Sequence, residues 1–272
     1  MIHRSRTVRY VSACIFGTCL AACSEPPVPA PPMETDVIAT AEASPFRTYD
    51  AATFYRTTSF GPVNSRGLGF SADGARVLVN SDATGVFNAY AIDRATGALE
   101  ALTASDDHAI FAQSYFPVDD RILYTYDEGG NELNHIVVRS PDGQTQDLTP
   151  GETLKAEFMG WSTRGDAFYL ATNERDPAAF DLYRYASSDY ARERIYTNDK
   201  GWDLSAVSSD GRRIALTENR SSADSDIWLV DLEASGDPIL ITEHEGAAAH
   251  AVSGFHPDGD SLVFTTDAHG EF

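Results

Sequence analysis

Hydrophobic and polar positions along the chain follow a pattern that recurs about every 46 residues. Each unit has an apolar residue, a polar turn that ends in Gly or Asp, and then an apolar run of strand-like composition. Residues 207–219 show the pattern as VSSDGRRIALTEN. The five turn residues are Gly74, Asp120, Gly165, Gly211 and Gly259, at steps of 46, 45, 46 and 48 residues. A repeat of this length is typical of a four-stranded propeller blade.

Two other strand positions repeat in phase with the turn. A third strand starts at Asn88, Asn134, Asp181 and Asp226, with steps of 46, 47 and 45 residues. A fourth strand ends near Thr103, Thr149, Thr197 and Thr242, with steps of 46, 48 and 45 residues. We therefore predict an all-β fold, a β-propeller of four-stranded antiparallel blades with four complete blades and half of a fifth.

The strand types and the ends of the repeat series refine this prediction. The second strand of each unit is nearly all apolar, as at residues 77–79 and 122–124, which favours a sheet covered on both faces by neighbouring blades. Residues 53–58, before the first unit, are the candidate closing strand for the half blade. Because half a blade would leave an open edge, which native folds avoid, we expect a truncated piece of a seven- or eight-bladed propeller.

The N-terminus predicts export. Three arginines precede a short apolar segment at residues 11–20, and the sequence Leu-Ala-Ala-Cys follows it and ends at Cys23. About ten apolar residues are too few for a helix that spans a bilayer, which needs about 20. Residues 1–22 are therefore interpreted as a signal peptide. The final four residues resemble the bacterial lipoprotein signal, which is favoured over an ordinary secretory signal cleaved at the same alanines.

The rest of the chain divides into a tether and a domain. Residues 23–45 are rich in proline and predict an extended tether, and residues 46–272 form the propeller domain. Lipidated Cys23 would anchor an exported protein in the periplasm or cell envelope, and Ser24 favours, by analogy, the outer membrane. The membrane is expected to be a partner only through this lipid.

Charge and cysteine content limit the chemistry of the mature chain. The full sequence has a net charge of −21, and without the signal peptide 17 Lys and Arg face 41 Asp and Glu. This acidity argues against nucleic acid as a partner. All three cysteines lie at or before Cys23, so the domain has no thiol of its own. The sequence predicts no cofactor.

Several segments resemble one family of propellers. The Phe-Ser-x-Asp-Gly turns are similar to repeats of the Tol-Pal translocation protein B and of the prolyl oligopeptidase family. The long segments AIFAQSYFPVDDRILYTYDEGGNELNHIVV and TNERDPAAFDLYRY, at residues 109–138 and 172–185, resemble the N-terminal domain of bacterial dipeptidyl aminopeptidase and acylaminoacyl-peptidase-like serine peptidases. The resemblance implies a propeller that gates peptide access to a C-terminal α/β-hydrolase domain with a Ser-Asp-His triad.

The sequence itself contains no match to that catalytic domain. A nucleophile elbow needs Gly-x-Ser-x-Gly, and the nearest segment has Arg164 where the second glycine should be. Ser162 in that segment belongs to a repeated blade turn. We therefore predict no catalytic residues and no activity from this chain alone, with the hydrolase domain as the missing partner. The alternative is a periplasmic propeller, similar to translocation protein B, that only binds a protein.

The loops between second and third strands are the candidate substrate-binding face. Carboxylates there can hold a peptide amine, and an arginine can hold a carbonyl or carboxylate. The candidates are Glu128, Asn131, Glu132, Glu174 and Arg175. Solvated loop charges are the competing interpretation.

Metal sites are not predicted. His135 has no second ligand at metal-binding spacing, so it is interpreted as a hydrogen-bonded strand residue. Asp224 and Asp226 lack the glycine-bearing loop of a calcium site and are interpreted as surface residues. The three tryptophans, at repeat positions, are expected to pack between blades.

Overall fold

The computed structural model describes residues 47–234 and 237–270. The predicted signal peptide, Cys23 and the tether at residues 23–45 lie outside the described residues. The chain divides into two compact units, Met1–Asp50 and Ala51–Phe272. The described part of the first unit, residues 47–50, has no regular secondary structure. Every helix and strand reported below lies in the second unit.

The second unit consists of antiparallel sheets formed by strands that are consecutive in the chain, as predicted. Four sheets have four strands each, and one has two. The strands of the first two sheets are β1 Phe60–Pro62, β2 Arg76–Ser81, β3 Asn88–Asp93, β4 Leu99–Ala101, β5 Ile110–Tyr115, β6 Ile122–Tyr126, β7 His135–Arg139 and β8 Thr145–Asp147. Those of the third and fourth are β9 Ala156–Trp161, β10 Ala167–Asp176, β11 Ala179–Ala186, β12 Arg192–Tyr196, β13 Asp203–Val207, β14 Arg213–Ser221, β15 Asp224–Asp231 and β16 Ile239–Leu240. The fifth sheet pairs β17 His250–Phe255 with β18 Leu262–Thr266.

The repeated turn has the same geometry in four of the five sheets. The turn glycine has a φ between 68° and 75° at Gly74, Gly165, Gly211 and Gly259. Its N–H donates to the carbonyl three residues earlier, for example from Gly74 to Ser71 at 2.8 Å. The left-handed conformation favours glycine because side chains with a Cβ clash there.

The other two repeated positions, the Asn or Asp of the third strand and the Thr near the end of the fourth, form hydrogen bonds that connect these strands. The Thr103 hydroxyl donates to Asn88 and accepts from the Ala89 amide, each at 2.9 Å. In the fourth sheet Thr242 makes the same pair of bonds with Asp226 and the Ile227 amide. In the second sheet the Thr149 hydroxyl accepts from the Ile136 amide at 2.8 Å, and in the third the Asn198 amide donates to Asp181 at 2.8 Å, so the shared phase reflects related contacts between the same two positions of each blade.

The hydrophobic core lies between successive sheets, as in a propeller. One cluster joins the second and third sheets through Phe116, Phe158 and Phe168. Other clusters join the first sheet to the second, the third to the fourth, and the fourth to the fifth. The first seven residues of β10, the first four of β6 and four consecutive residues of β14 are all buried, so the second strands of the second, third and fourth sheets are covered on both faces, whereas β2 and β18 are less buried.

The tryptophans pack as predicted. Trp202 and Trp228 stack with ring centroids 4.7 Å apart and an interplanar angle of 18°. Trp161 packs against the cluster between the second and third sheets, and its indole N–H donates to the Ser114 hydroxyl of the second sheet at 2.8 Å. These rings therefore join elements of the core.

The predicted strand at residues 53–58 is wrong. A four-residue helix, α1 Ala51–Phe54, begins this region, and the residues after it are irregular. Among the described residues β18 pairs only with β17, so residues 53–58 do not complete the fifth sheet. Within residues 47–234 and 237–270 no helix is long and apolar enough to cross a membrane.

The segment between β1 and β2 has little regular strand structure. After β1 the chain turns at Asn64, and only Phe70 bridges to Val77 further along. Between these points Gly67 packs against the second sheet so closely that a Cβ would lie 1.9 Å from the Gln113 carbonyl oxygen. Close contact between neighbouring blades has replaced regular strand pairing here.

Candidate functional site

The loop between β6 and β7 carries three of the five predicted substrate-binding residues. Asn131 and Glu132 are exposed and shape the loop itself. The Asn131 side chain accepts from the Leu133 amide at 2.9 Å, and the Glu132 amide donates to Asp127 at 2.9 Å. Glu128 lines a cleft at the base of the loop. The structure thus brings one of the three candidates into a concave surface.

Glu174 and Arg175 lie on a strand, not in a loop. β10 continues to Asp176, and a two-residue turn leads to β11; residues 173–175 lie in a register irregularity between the Thr172–Asp181 and Asp176–Ala179 pairs. The Arg192 guanidinium donates to both Glu174 carboxylate oxygens at 2.6 and 2.9 Å. Glu174 is therefore already paired with a side chain of β12, two strands away in the same sheet.

Arg175 holds a buried carboxylate. Its Nε and Nη2 donate to the two oxygens of Asp181 at 2.8 and 2.9 Å, and the Asp181 side chain has no exposed surface. Burial acts to raise the pKa of Asp181, but the bonds from Arg175 and from the Asn198 amide outweigh it and lower that pKa. A contact of Arg175 with peptide stays a prediction. The peptide would have to bind a guanidinium that already donates to Asp181.

The same arginine–aspartate pair recurs in the next blade. Arg220 lies six residues before Asp226, as Arg175 lies six residues before Asp181, and Arg220 donates to the Asp226 carboxylate. Asp226 is buried, so its interpretation as a surface residue was wrong. The carboxylate is retained inside because it has an arginine and the Thr242 hydroxyl as partners. The six-residue spacing of Arg and Asp in both blades is the feature of the sequence that could have predicted this buried pair.

The cleft beside Glu128 has a volume of about 620 Å³ and is lined by three carboxylates and two tyrosines. Its lining includes Asp107 and His108 from the β4–β5 connection, Tyr124 and Tyr126 from β6, Glu128 from the loop, and Asp147 from β8. The antiparallel pairing of Ile110 with Tyr126 brings the first two elements to the same end of the sheet. The site therefore forms at the end that carries the loop between second and third strands.

Histidines and tyrosines order the cleft. The Tyr126 ring lies between His108 and His135, with centroid distances of 5.1 and 5.7 Å. His135 Nδ1 lies 2.7 Å from the Asp147 carboxylate, so His135 is a hydrogen-bonded strand residue, as expected. His108 Nδ1 is similarly placed 2.5 Å from Asp107.

The electrostatics of the cleft favour binding of a cation. The Ser105 hydroxyl and then His108 lower the pKa of Asp107, which keeps that carboxylate ionised. Burial raises the pKa of Tyr124 to about 12 and also raises that of Tyr126. The two phenols are therefore protonated at neutral pH, and they offer hydrogen bonds and ring surface but no nucleophile.

A second group of side chains was not expected from the sequence. Asp226, His244 and His250 each offer a ligand atom, and these atoms all lie within 4.8 Å of one another. The two histidines lie in and after the connection from β16 to β17, six residues apart. Their proximity to Asp226 depends on how the fourth and fifth sheets pack, so residue spacing gave no sign of it.

Comparisons with known proteins support the fold. No protein-family model and no curated protein matches the chain. Among solved structures, an oligogalacturonate lyase in complex with manganese is similar with a TM-score of 0.58 and 14% identity, over 79% of this chain and 61% of that one. Prolyl oligopeptidase B from Galerina marginata has a TM-score of 0.51 and 8% identity, over 69% of this chain and 28% of that one.

TolB from Acinetobacter baumannii is also similar, with a TM-score of 0.49 and 20% identity, over 76% of this chain and 48% of that one. The chain thus spans about half of the TolB structure and about three fifths of the lyase. At these identities the similarity shows the fold alone. Fold and comparisons together define the chain as a β-propeller module.

Proposed function

We propose that this chain is the peptide-binding and substrate-gating propeller module of an exported serine peptidase, with no catalytic activity of its own. The cleft beside Glu128 is the observation that carries the proposal. It places Asp107, Glu128 and Asp147 around one concave surface at the loop end of the second blade. Carboxylates that converge in this way suit the protonated amine of a peptide N-terminus or lysine.

The size and lining of the cleft suit a short peptide. Its volume of about 620 Å³ falls in the range of roughly 300–1,000 Å³ that is typical of small-ligand sites. Tyr124 and Tyr126 supply ring surface beside the acidic groups. Reaction chemistry would have to come from another domain, because the cleft phenols are protonated and the sequence has no Gly-x-Ser-x-Gly.

Titration with a fluorescently labelled peptide tests the role of the cleft. We expect the variant Asp107→Asn/Glu128→Gln to bind a peptide with a free N-terminus about tenfold more weakly, since each lost charged hydrogen bond weakens binding. The matched control is Asp142→Asn/Asp189→Asn, which removes the same charge from turns between third and fourth strands, at the opposite ends of the blades.

Two further comparisons separate cleft binding from general attraction to an acidic protein. An N-acetylated copy of the peptide is expected to bind as weakly as the free peptide binds to the cleft variant. Both titrations are run at 0.15 M salt, where exposed charges beyond about 8 Å are largely screened. Equal affinity for the free and acetylated peptides would overturn the proposed cleft. A propeller that only docks a folded protein, the alternative function, would bind neither peptide.

Export and anchoring are part of the proposal. Cys23 would carry lipid and residues 23–45 would hold the propeller away from the envelope membrane, with no role for nucleic acid. The support is the short apolar segment and the Leu-Ala-Ala-Cys sequence. The variant Cys23→Ser is expected to move the protein from the membrane fraction to the soluble fraction on cell fractionation. Cys19→Ser, which changes a cysteine inside the apolar segment, should leave it with the membranes.

A further inference from the structure

Two histidines and an aspartate meet where the fourth sheet packs against the fifth. Asp226 lies on β15, His250 is the first residue of β17, and His244 lies in the connection between them. Asp226 and His250 are 2% and 8% exposed. His244 Nδ1 is 3.3 Å from Asp226 Oδ1 and 3.4 Å from His250 Nε2. Three groups of the kind that bind metals are thus already in contact in a buried corner.

These separations match the edges of a metal coordination tetrahedron. Zinc binds histidine nitrogen at about 2.0–2.1 Å and carboxylate oxygen at about 2.0–2.2 Å, so two ligands on a tetrahedral ion lie roughly 3.3–3.5 Å apart. Both measured distances from His244 Nδ1 fall at this value. All three ligand atoms lie within 4.8 Å of one another, so the remaining separation, between Asp226 and His250, would shorten by no more than about 1.5 Å to reach this value.

Hydrogen bonding leaves His250 without another polar partner. Its Nδ1 is buried and has no hydrogen-bond partner. Its Nε2 faces a second nitrogen, His244 Nδ1, which also lies 2.9 Å from the Thr242 carbonyl oxygen. With the His244 proton on Nε2, which faces Asp224 Oδ1, the lone pairs of His244 Nδ1 and His250 Nε2 face each other with no proton between them, and buried polar atoms are rarely left so.

The surrounding groups support His244 and Asp226 as ligands. His244 Nε2 lies 3.2 Å from Asp224 Oδ1, which is the carboxylate–histidine arrangement that orients metal-binding imidazoles. Arg220 bonds to Oδ2 of Asp226, whereas Oδ1 accepts from the Thr242 hydroxyl at 3.1 Å and keeps a second lone pair on the side of His244. A cavity of about 420 Å³ borders both histidines and gives a route of entry.

We propose that Asp226, His244 and His250 bind a divalent transition-metal ion of the zinc class, which joins the fourth blade to the β17–β18 sheet. Two imidazoles and one carboxylate favour zinc and its neighbours over calcium or magnesium, which prefer oxygen ligands. Three protein ligands leave a fourth position, which water fills in sites of this type. Because the ligands come from two sheets, the ion stabilises their junction.

Competition with a chromophoric zinc chelator tests the site on the protein after treatment with EDTA and without an affinity tag. We expect one zinc ion per chain to bind. Loss of an outer-shell partner typically weakens metal binding 10–100-fold, so loss of a ligand in His244→Ala or His250→Ala should weaken it at least about 100-fold. His256→Ala, which removes an exposed histidine of the following turn, is the matched control and should bind zinc as the wild type does.

A spectroscopic measurement keeps the proposal testable if a histidine variant fails to fold. Cobalt(II) added to the wild-type protein should give the intense visible absorption of a tetrahedral complex, and zinc should abolish it. Zinc should also raise the unfolding temperature of the wild type and of His256→Ala, but not of His250→Ala. Weak zinc binding of variable stoichiometry, or equal affinity of wild type and both ligand variants, would overturn the site.

Discussion

Replacing Phe116 by Ala is expected to lower the free energy of unfolding by about 3–5 kcal/mol. Phe116 has no exposed surface, and its ring lies 4.9 Å from Trp161 and 6.0 Å from Phe168 of the next blade. The Arg121 guanidinium covers the ring at 4.0 Å. Truncation would leave a cavity between two blades that the neighbouring rings can fill only in part. The variant therefore loses the transfer free energy of the buried ring and also carries the cost of the cavity.

The repeat itself supplies the control for this experiment. Phe70 occupies the equivalent position in the first blade, but its side chain is 56% exposed. The Arg94 guanidinium lies over its ring, 5.5 Å from the centroid. Phe70→Ala is expected to change stability by no more than about 1 kcal/mol. Urea unfolding followed by tryptophan fluorescence measures both variants. Equal losses for the two would show that the core does not lie between the second and third sheets.

Replacing Asp181 by Ala is expected to cost about 3 kcal/mol of stability. The carboxylate is fully buried and bound by Arg175 and the Asn198 amide, with Arg194 3.4 Å away. Its removal leaves these donors without an acceptor inside the third blade. The value lies at the low end for broken buried pairs because the Arg175 side chain is 31% exposed and can reach water.

Asp199→Ala is the matched control, since Asp199 contacts the same arginine at 3.6 Å but is 78% exposed. It should cost no more than about 1 kcal/mol. Acid titration adds a second readout. The pKa of Asp181 is lowered in the folded protein, so its contribution is present above the unfolded value of about 3.9 and is lost as pH falls through the folded value. Wild type should therefore lose more stability on acidification than Asp181→Asn, and parallel acid curves would contradict this pairing.

The sequence predicted the blades well because each repeated position marks a local contact. The Thr103–Asn88 and Thr242–Asp226 bonds explain why the third and fourth strands share one period. The third strands accordingly begin within two residues of their predicted starts. Residues 53–58 were assigned wrongly, since strand propensity alone does not show that a segment finds a partner strand.

The candidate site was harder to predict. Glu128 was identified from its loop, but the cleft also needs Asp107 and His108 from the β4–β5 connection and Asp147 from β8, and only the sheet register brings them together. Arg175 was expected in a loop, but β10 extends to Asp176 and the hairpin turn lies at residues 177–178. His244 and His250 were missed because a contact between sheets, with no short motif, brings them to Asp226.

A single assay of binding and cleavage tests the central claim, that this propeller holds peptides without hydrolysing them. The protein is incubated with a dipeptidyl p-nitroanilide that has a free N-terminus, and both calorimetric binding and p-nitroaniline release are measured. We expect saturable binding that weakens in Asp107→Asn/Glu128→Gln, with no release above buffer, because an unactivated serine is a poor nucleophile without a base and an oxyanion hole. Turnover that a serine-directed phosphonate abolishes, or no binding at all, would contradict the account.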